Sequence, residues 1–311
     1  MFSVVTGGAG FIGSHLVDAL VARGDEVLVI DSLTAGSREN IARHLDAGNA
    51  RILVHDLCSD GWQDAVAGAA RVYHLAADPD VRQSAVDPRP VMQNNITATC
   101  RVLEAMRAAG VPEIVFTSTS TVYGDATVIP TPEDYAPLEP ISVYGASKLA
   151  CEALISAHCH SFGMRSWLFR FANIVGERSS HGVITDFIRK LKQDPAELEI
   201  LGDGRQSKSY LEVHECVASM LFAVGLAREP VNTFNIGSMD WIDVQSIANI
   251  VAGEMGLPAV RYRFTGGKRG WVGDVPQMQL ALDRIQALGW QPKMGSEESV
   301  RVAVRAMLAG P

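Results

Sequence analysis

The feature that most limits how this chain can fold is Thr6-Gly7-Gly8-Ala9-Gly10-Phe11-Ile12-Gly13, between a Val-rich apolar run (Phe2 to Thr6) and a segment of helical period over residues 11–23. Glycines there let the backbone turn tightly from strand into helix and come close to a bound group. A helix that starts directly behind such a turn offers free N–H groups and partial positive charge, which suit a pyrophosphate. A second apolar run, 26–30, leads into Asp31, placed to accept both hydroxyls of an adenosine ribose and to repel a 2′-phosphate. A glycine turn alone is common, and an acid at a strand end is usually just solvated. Strand, glycine turn, helix, strand and acid in that order point to a dinucleotide site that prefers NAD to NADP.

The alternation continues along the chain. Runs at 51–54, 72–75, 113–117 and 165–171 are almost continuously apolar, as strands covered on both faces are, and helical segments separate them. This predicts an α/β fold with a doubly wound parallel sheet of the Rossmann kind, forming an NAD-binding domain over residues 1–175. The longest predicted helices cover 91–109 and 142–162, the second following Pro140 with Ser142 as its N-cap. Past Gly176 the pattern loosens into a helix over 181–192, a Gly202-Asp203-Gly204 turn and shorter pieces. Residues 176–311 are expected to form mainly a smaller α/β substrate-binding domain, with the chain crossing back to the first.

With 311 residues, 47% of them hydrophobic and 20% charged, the chain has material for a sizeable core. A net charge of -8 argues against a nucleic-acid binder, which needs clustered cations, so an anionic substrate must find its cations locally. Cys58, Cys100, Cys151, Cys159 and Cys216 form no CxxC pair, as expected of reduced thiols. No zinc-ligand spacing occurs, and His158 and His160 point apart on a predicted helix, so no metal site is expected. The first strand starts almost at Met1 and no apolar run nears the roughly 18 residues of a membrane span. A soluble cytoplasmic protein is the expectation.

In Ser142-Val143-Tyr144-Gly145-Ala146-Ser147-Lys148 the Tyr and Lys stand four apart and share one helix face. Beside a nicotinamide this pair reads as a phenol that takes a proton from a substrate hydroxyl as hydride leaves its carbon, with Lys148 stabilising the phenolate. Bringing a tyrosine from about 10 to about 7 costs roughly 4 kcal/mol, whereas one cation at about 5 Å and an effective dielectric of about 20 supplies roughly 3. An oxidised nicotinamide is expected to supply the remainder.

The glycine loop, Asp31, the segment Phe116-Thr117-Ser118-Thr119-Ser120-Thr121-Val122-Tyr123-Gly124 and the Tyr144/Lys148 pair together resemble the extended short-chain dehydrogenase/reductase family, in particular its UDP-glucose 4-epimerases of archaeal type. The resemblance spans essentially the whole chain, through Leu201-Gly202-Asp203-Gly204, Lys208-Ser209-Tyr210 and Arg269-Gly270-Trp271-Val272-Gly273-Asp274. It implies NAD as cofactor, a UDP-hexose substrate and a homodimer formed through the two long helices. To the cofactor it assigns Gly7, Gly10, Phe11, Ile12, Gly13, Asp31, Ser32, Leu33, Asp56, Leu57, Leu75, Ala76, Ala77, Asn94, Thr117, Tyr144 and Lys148. Thr119 joins Tyr144 and Lys148 in catalysis by hydrogen-bonding the sugar 4-oxygen, and Asn173, Lys208, Arg269 and Asp274 complete the substrate contacts. Lys208 stands where the family usually has Arg, which removes a bidentate grip.

Related dehydratases and decarboxylases carry acids just before Val-Tyr-Gly, where this chain has Ser120 and Thr121. The implied reaction is therefore interconversion of UDP-glucose and UDP-galactose: transient oxidation at C4 to a 4-keto sugar, then hydride return to the opposite face. UDP-glucuronate is the runner-up, because Arg82 suits a carboxylate. Against it, Asn173 stands where such enzymes tend to have Thr, and Ser180 where an Arg would help. Met278, read at a gate position where a Tyr would exclude N-acetyl sugars, keeps UDP-N-acetylglucosamine open. A non-catalytic NAD-sensing module would be free to lose Tyr144, Lys148 and Thr119, and all three are present.

Overall fold

The computed structural model describes residues 1–310. Its first part runs β1 (Phe2–Thr6), α1 (Phe11–Ala22), β2 (Glu26–Asp31), β3 (Ala50–Val54), β4 (Arg71–His74), α2 (Ala98–Ala109), β5 (Glu113–Thr119), α3 (Val143–Phe162) and β6 (Arg165–Phe171). It continues with β7 (Asn173–Val175), α4 (Val183–Gln193), β8 (Glu197–Ile200), β9 (Ser207–Lys208), β10 (Tyr210–Glu212), α5 (Val213–Leu226) and β11 (Val231–Ile236). β12 (Ile242–Asp243), α6 (Val244–Glu254), β13 (Arg261–Phe264), β14 (Gln277–Met278) and α7 (Ser296–Ala309) complete it.

Seven parallel strands form the central sheet in the order β11-β6-β5-β4-β1-β2-β3. Their apolar runs are continuous because both faces are covered, and successive side chains serve opposite cores. Val4, Ile30, Ile114 and Leu168 pack with Leu103 and Met106 of α2 and Ile155 of α3. Their neighbours Val5, Val29, Val115 and Phe169 pack on the other face with Leu16 and Leu20 of α1 and Met220 of α5. Each such buried side chain contributes about 1.5–3 kcal/mol.

Beyond residue 175 the chain crosses back: β11 returns to pair with β6 and extends the sheet. A third core, with Phe187 and Leu191 of α4, Ile247 of α6 and Val300 of α7, supports the smaller C-terminal part. There the strands are short: β7 pairs with β10, β8 with β13, and β9 lies between β12 and β14. Among the described residues no helix is long and apolar enough to cross a membrane.

The helix predicted over 91–109 is interrupted. A π-helical stretch, Met92–Thr97, precedes α2, and its wider turn rotates Asn95 inward, where it is 1% exposed, leaving Asn94 on the surface. α3 begins as expected, with the Ser142 hydroxyl accepting the Gly145 N–H at 3.0 Å. The carboxyl ends of β1, β2, β4 and β5 and the N-termini of α1 and α3 supply the site described next.

Candidate active site

Gly7 adopts φ 69°, and a Cβ there would stand 2.6 Å from the Ala76 nitrogen. The loops after β1 and β4 therefore nest, which sets Leu75, Ala76 and Ala77 beside the glycine turn. A Cβ on Gly13 would overlap the Gly7 carbonyl. α1, opened by Phe11 and Ile12, is capped by Gly10 with no side chain on its first N–H groups, which stay available to an anion. Asp31 Oδ2 accepts the Ala9 N–H at 2.9 Å and Oδ1 the Leu33 N–H at 2.8 Å. The acid thus ties the glycine turn to the end of β2, and each oxygen keeps lone-pair capacity for a ribose hydroxyl. Leu33 holds a positive φ of 58° in this turn, and Ser32 shares a hydrogen bond with Thr34. Asp56 is exposed and accepts the Cys58 N–H, whereas Leu57 is buried in the core beneath.

Tyr144 and Lys148 lie in the first turns of α3, against Thr117 and Thr119 at the end of β5. Lys148 is buried, donates from Nζ to the Thr117 carbonyl at 2.9 Å and lies 4.7 Å from the Phe116 ring centre. Burial pulls its pKa down to about 8. Burial likewise pushes Tyr144 up to about 12, opposed by the Thr119 hydroxyl and reinforced by the negative charge of Asp78. A buried ammonium takes the nearest strong acceptor, here a backbone carbonyl of β5, and what acts most on the phenol is burial.

Two residues that the sequence did not single out hold this arrangement. Asn95 donates to Ser147 Oγ at 2.9 Å and accepts the Asp78 N–H at 2.7 Å, and Ser147 in turn donates to the Tyr144 carbonyl at 2.7 Å. The π turn brings Asn95 inward and leaves Asn94 exposed, a register that no apolar spacing announces. Asp78 sits in the loop that Asn95 pins. Thr119 Oγ1 caps the following turn by accepting the Thr121 N–H at 3.2 Å.

On the substrate side, Lys208 Nζ is 2.6 Å from Asp274 Oδ1, whose Oδ2 accepts the Gly270 N–H at 2.9 Å. Arg269 pairs with Asp125 at 2.6 Å and also reaches the Asp274 carbonyl. Arg82 and Lys208 lie 5.2 and 5.4 Å from the Trp271 ring centre. Asn173 donates to the Ser209 carbonyl at 3.4 Å. The expected cations are thus brought together, but Lys208 and Arg269 already face carboxylates. The Met278 side chain is buried in the core shared with Leu280, and its backbone pairs with Lys208.

The model of the NAD dependent epimerase/dehydratase family matches residues 3–237. The chain belongs to this family. It is 31% identical to a UDP-glucose 4-epimerase of Mycolicibacterium smegmatis over 98% of this chain and 97% of that one. A crystal structure of a UDP-galactose 4-epimerase superposes with a TM-score of 0.89 at 44% identity, covering 99% of each chain. That of UDP-glucuronic acid 4-epimerase from Bacillus cereus, in complex with UDP-glucuronic acid and NAD, gives 0.89 at 25% identity, again over 99% of each. NAD is the cofactor of this family, and the glycine cradle, the open N-terminus of α1 and Asp31 fit it.

Beneath the carboxyl end of β5 this epimerase/dehydratase chain buries a polar network. Arg170 of β6 donates to Glu152 of α3 from Nε at 3.0 Å and Nη2 at 2.7 Å, and from Nη1 to Tyr123 Oη at 2.9 Å and the Glu133 carbonyl at 3.0 Å. Ser118, adjacent to Thr119, also hydrogen-bonds Glu152, and Tyr123 Oη donates to Asn235 Oδ1 at 2.7 Å. Glu152 continues the four-residue spacing of Tyr144 and Lys148. That spacing was the one signal in the sequence that this face of α3 carries a third functional group.

Proposed function

We propose that this chain interconverts UDP-glucose and UDP-galactose by epimerisation at C4. The observation that carries the reading is a single phenol, Tyr144, beside the Thr119 hydroxyl, with Ser120 and Thr121 where an eliminating or decarboxylating site needs acids. NAD, when bound, supplies the hydride acceptor and donor for C4. Tyr144 takes the proton of the 4-hydroxyl and returns it to the same oxygen, so the cycle closes without net proton change. Thr119 holds that oxygen in line with the phenol, and Asn95, through Ser147 and the Tyr144 carbonyl, holds the first turn of α3. Lys208, Arg269, Asp274 and Asn173 are the groups for the nucleotide diphosphate, the two cations exchanging Asp274 and Asp125 for phosphate oxygens. The likeness to UDP-glucose and UDP-galactose 4-epimerases over nearly the whole chain supports this substrate.

A second reading, UDP-glucuronate, is favoured by Arg82 against Trp271 and by the likeness to a glucuronate epimerase. Anion-exchange analysis of products formed separately from UDP-glucose, UDP-glucuronate and UDP-N-acetylglucosamine tests the choice. UDP-galactose from UDP-glucose is expected as the fastest conversion. Faster conversion of UDP-glucuronate overturns the preferred substrate, and no interconversion of any of the three overturns epimerisation.

A further inference from the structure

Where α1, the loop after β7 and the first turn of α5 meet, His15, Glu177 and His214 each present one ligand atom, and these atoms lie within 4.8 Å of one another. They are far apart in sequence, so no ligand spacing announces them. His15 is 2% exposed. Its Nε2 faces the Glu177 carbonyl at 3.2 Å, and its Nδ1 is buried with no hydrogen-bond partner. A ring that donates from Nε2 carries a bare lone pair on Nδ1, and a buried lone pair without a donor is a cost that a bound cation removes.

The second observation concerns His214. Its Nδ1 is 2.7 Å from Glu212 Oε1, and Glu212 is itself 5% exposed. A carboxylate on one ring nitrogen fixes the ring and leaves the other to ligate, an arrangement typical behind metal-bound histidines. The His15 and His214 rings meet edge to face at 4.7 Å between centres.

We propose that His15, His214 and Glu177 form a binding site for a borderline divalent transition-metal ion such as Zn2+ or Co2+. Two imidazoles and one carboxylate select these ions over Mg2+ or Ca2+, and water completes the tetrahedron. Bonds of about 2.0–2.2 Å require ligand atoms about 3.3 Å apart, so the site must contract by up to about 1.5 Å. The more exposed Glu177 and His214 side chains make that movement while His15 stays fixed in α1. Arg178 is a cation beside the site. Its Nη1 is held by Asp18 at 2.9 Å and Ser14 at 3.2 Å, and Nη2 lies 3.9 Å from Glu177. The carboxylates of Glu177 and Glu212 outweigh it. The ion clips the helix behind the glycine turn to the loop after β7 and to α5, three segments that otherwise meet through packing.

The test uses the whole chain, stripped with a chelator and titrated with Co2+ followed by visible absorption and with Zn2+ followed by calorimetry. One tight site per chain with the intense d–d bands of tetrahedral Co2+, and a Tm raised by Zn2+, is the expected result. His214→Ala, at a side chain that is largely exposed, should keep the fold by circular dichroism, lose the tetrahedral spectrum and abolish the Zn2+-dependent rise in Tm. Glu212→Gln, which keeps an oxygen for the helix cap, should weaken binding about 10- to 100-fold. Absence of the tetrahedral spectrum in the parent protein overturns the site, and so does Zn2+ affinity that His214→Ala leaves unchanged. Neither readout depends on which sugar nucleotide the enzyme uses.

Discussion

Two buried cations lie beneath the carboxyl end of β5, and the fold treats them in opposite ways. Arg170, 6% exposed, is wrapped by both oxygens of Glu152, by Tyr123 and by the Glu133 carbonyl, and Glu152 with Tyr123 holds its pKa above the ordinary value despite burial. Lys148, 2% exposed, has one carbonyl, the face of one phenyl ring and no hydrogen-bonded carboxylate, and its pKa falls to about 8. Arg170 is neutralised and holds α3, β5 and β6 in register. Lys148 is left uncompensated, so in the proposed reaction its ammonium is available to negative charge at Tyr144.

That difference has a thermodynamic signature. The folded state holds Lys148 at about 8 against its ordinary 10.5, so between those values the unfolded chain binds more protons and stability rises with pH. Burial of Lys148 therefore costs about 3 kcal/mol below pH 8, and the cost is gone above about 10.5.

The sharpest way to break the comparison is to remove each cation. Lys148→Met should lower turnover on the order of 100- to 10,000-fold and yet leave the cofactor-free protein as stable as the parent or more stable at pH 7, by up to about 3 kcal/mol. Denaturant unfolding should show this gain shrinking to nothing as pH rises through about 10.5. A clear loss of stability at pH 7 would mean that Lys148 is structural after all. Arg170→Met should do the reverse, costing about 3–5 kcal/mol because Glu152 is left buried and unpaired. Double replacement with Glu152→Leu should recover much of that cost, and a single variant as stable as the parent would refute the scaffold role.

The smallest effect concerns the charge beside the phenol. Asp78 raises the Tyr144 pKa, so Asp78→Asn should move the acid limb of the kcat/KM profile to lower pH with little change in KM. An unmoved limb, or one shifted to higher pH, would remove Asp78 from the electrostatics of the site.

The parts legible in the sequence were those set by neighbours along the chain. The glycine turn needs its residues within one strand-to-helix connection. Asp31 closes on Ala9 and Leu33, both within the same βαβ unit. Ser142 caps its own helix, and Tyr144 and Lys148 share a face because a helix repeats every 3.6 residues. Periodicity likewise exposed the parallel sheet. The inward turn of Asn95 was hidden by the π stretch, which shifts the register by a residue without changing composition. Lys208 and Arg269 were legible as cations, but their pairing with Asp274 and Asp125 was not.

The sequence by itself determined the dinucleotide fold, the kind of chemistry and the helix that carries it, because dihedral preferences and apolar periods act over a few residues. Only the tertiary structure decided which acceptor Lys148 meets, that burial outweighs the Thr119 hydroxyl at Tyr144, that β11 is the strand added beside β6, and that Glu152 and Arg170 brace α3 against the sheet. Those outcomes depend on which distant groups share a buried, low-dielectric volume, and electrostatic energies there follow three-dimensional distance rather than position along the chain.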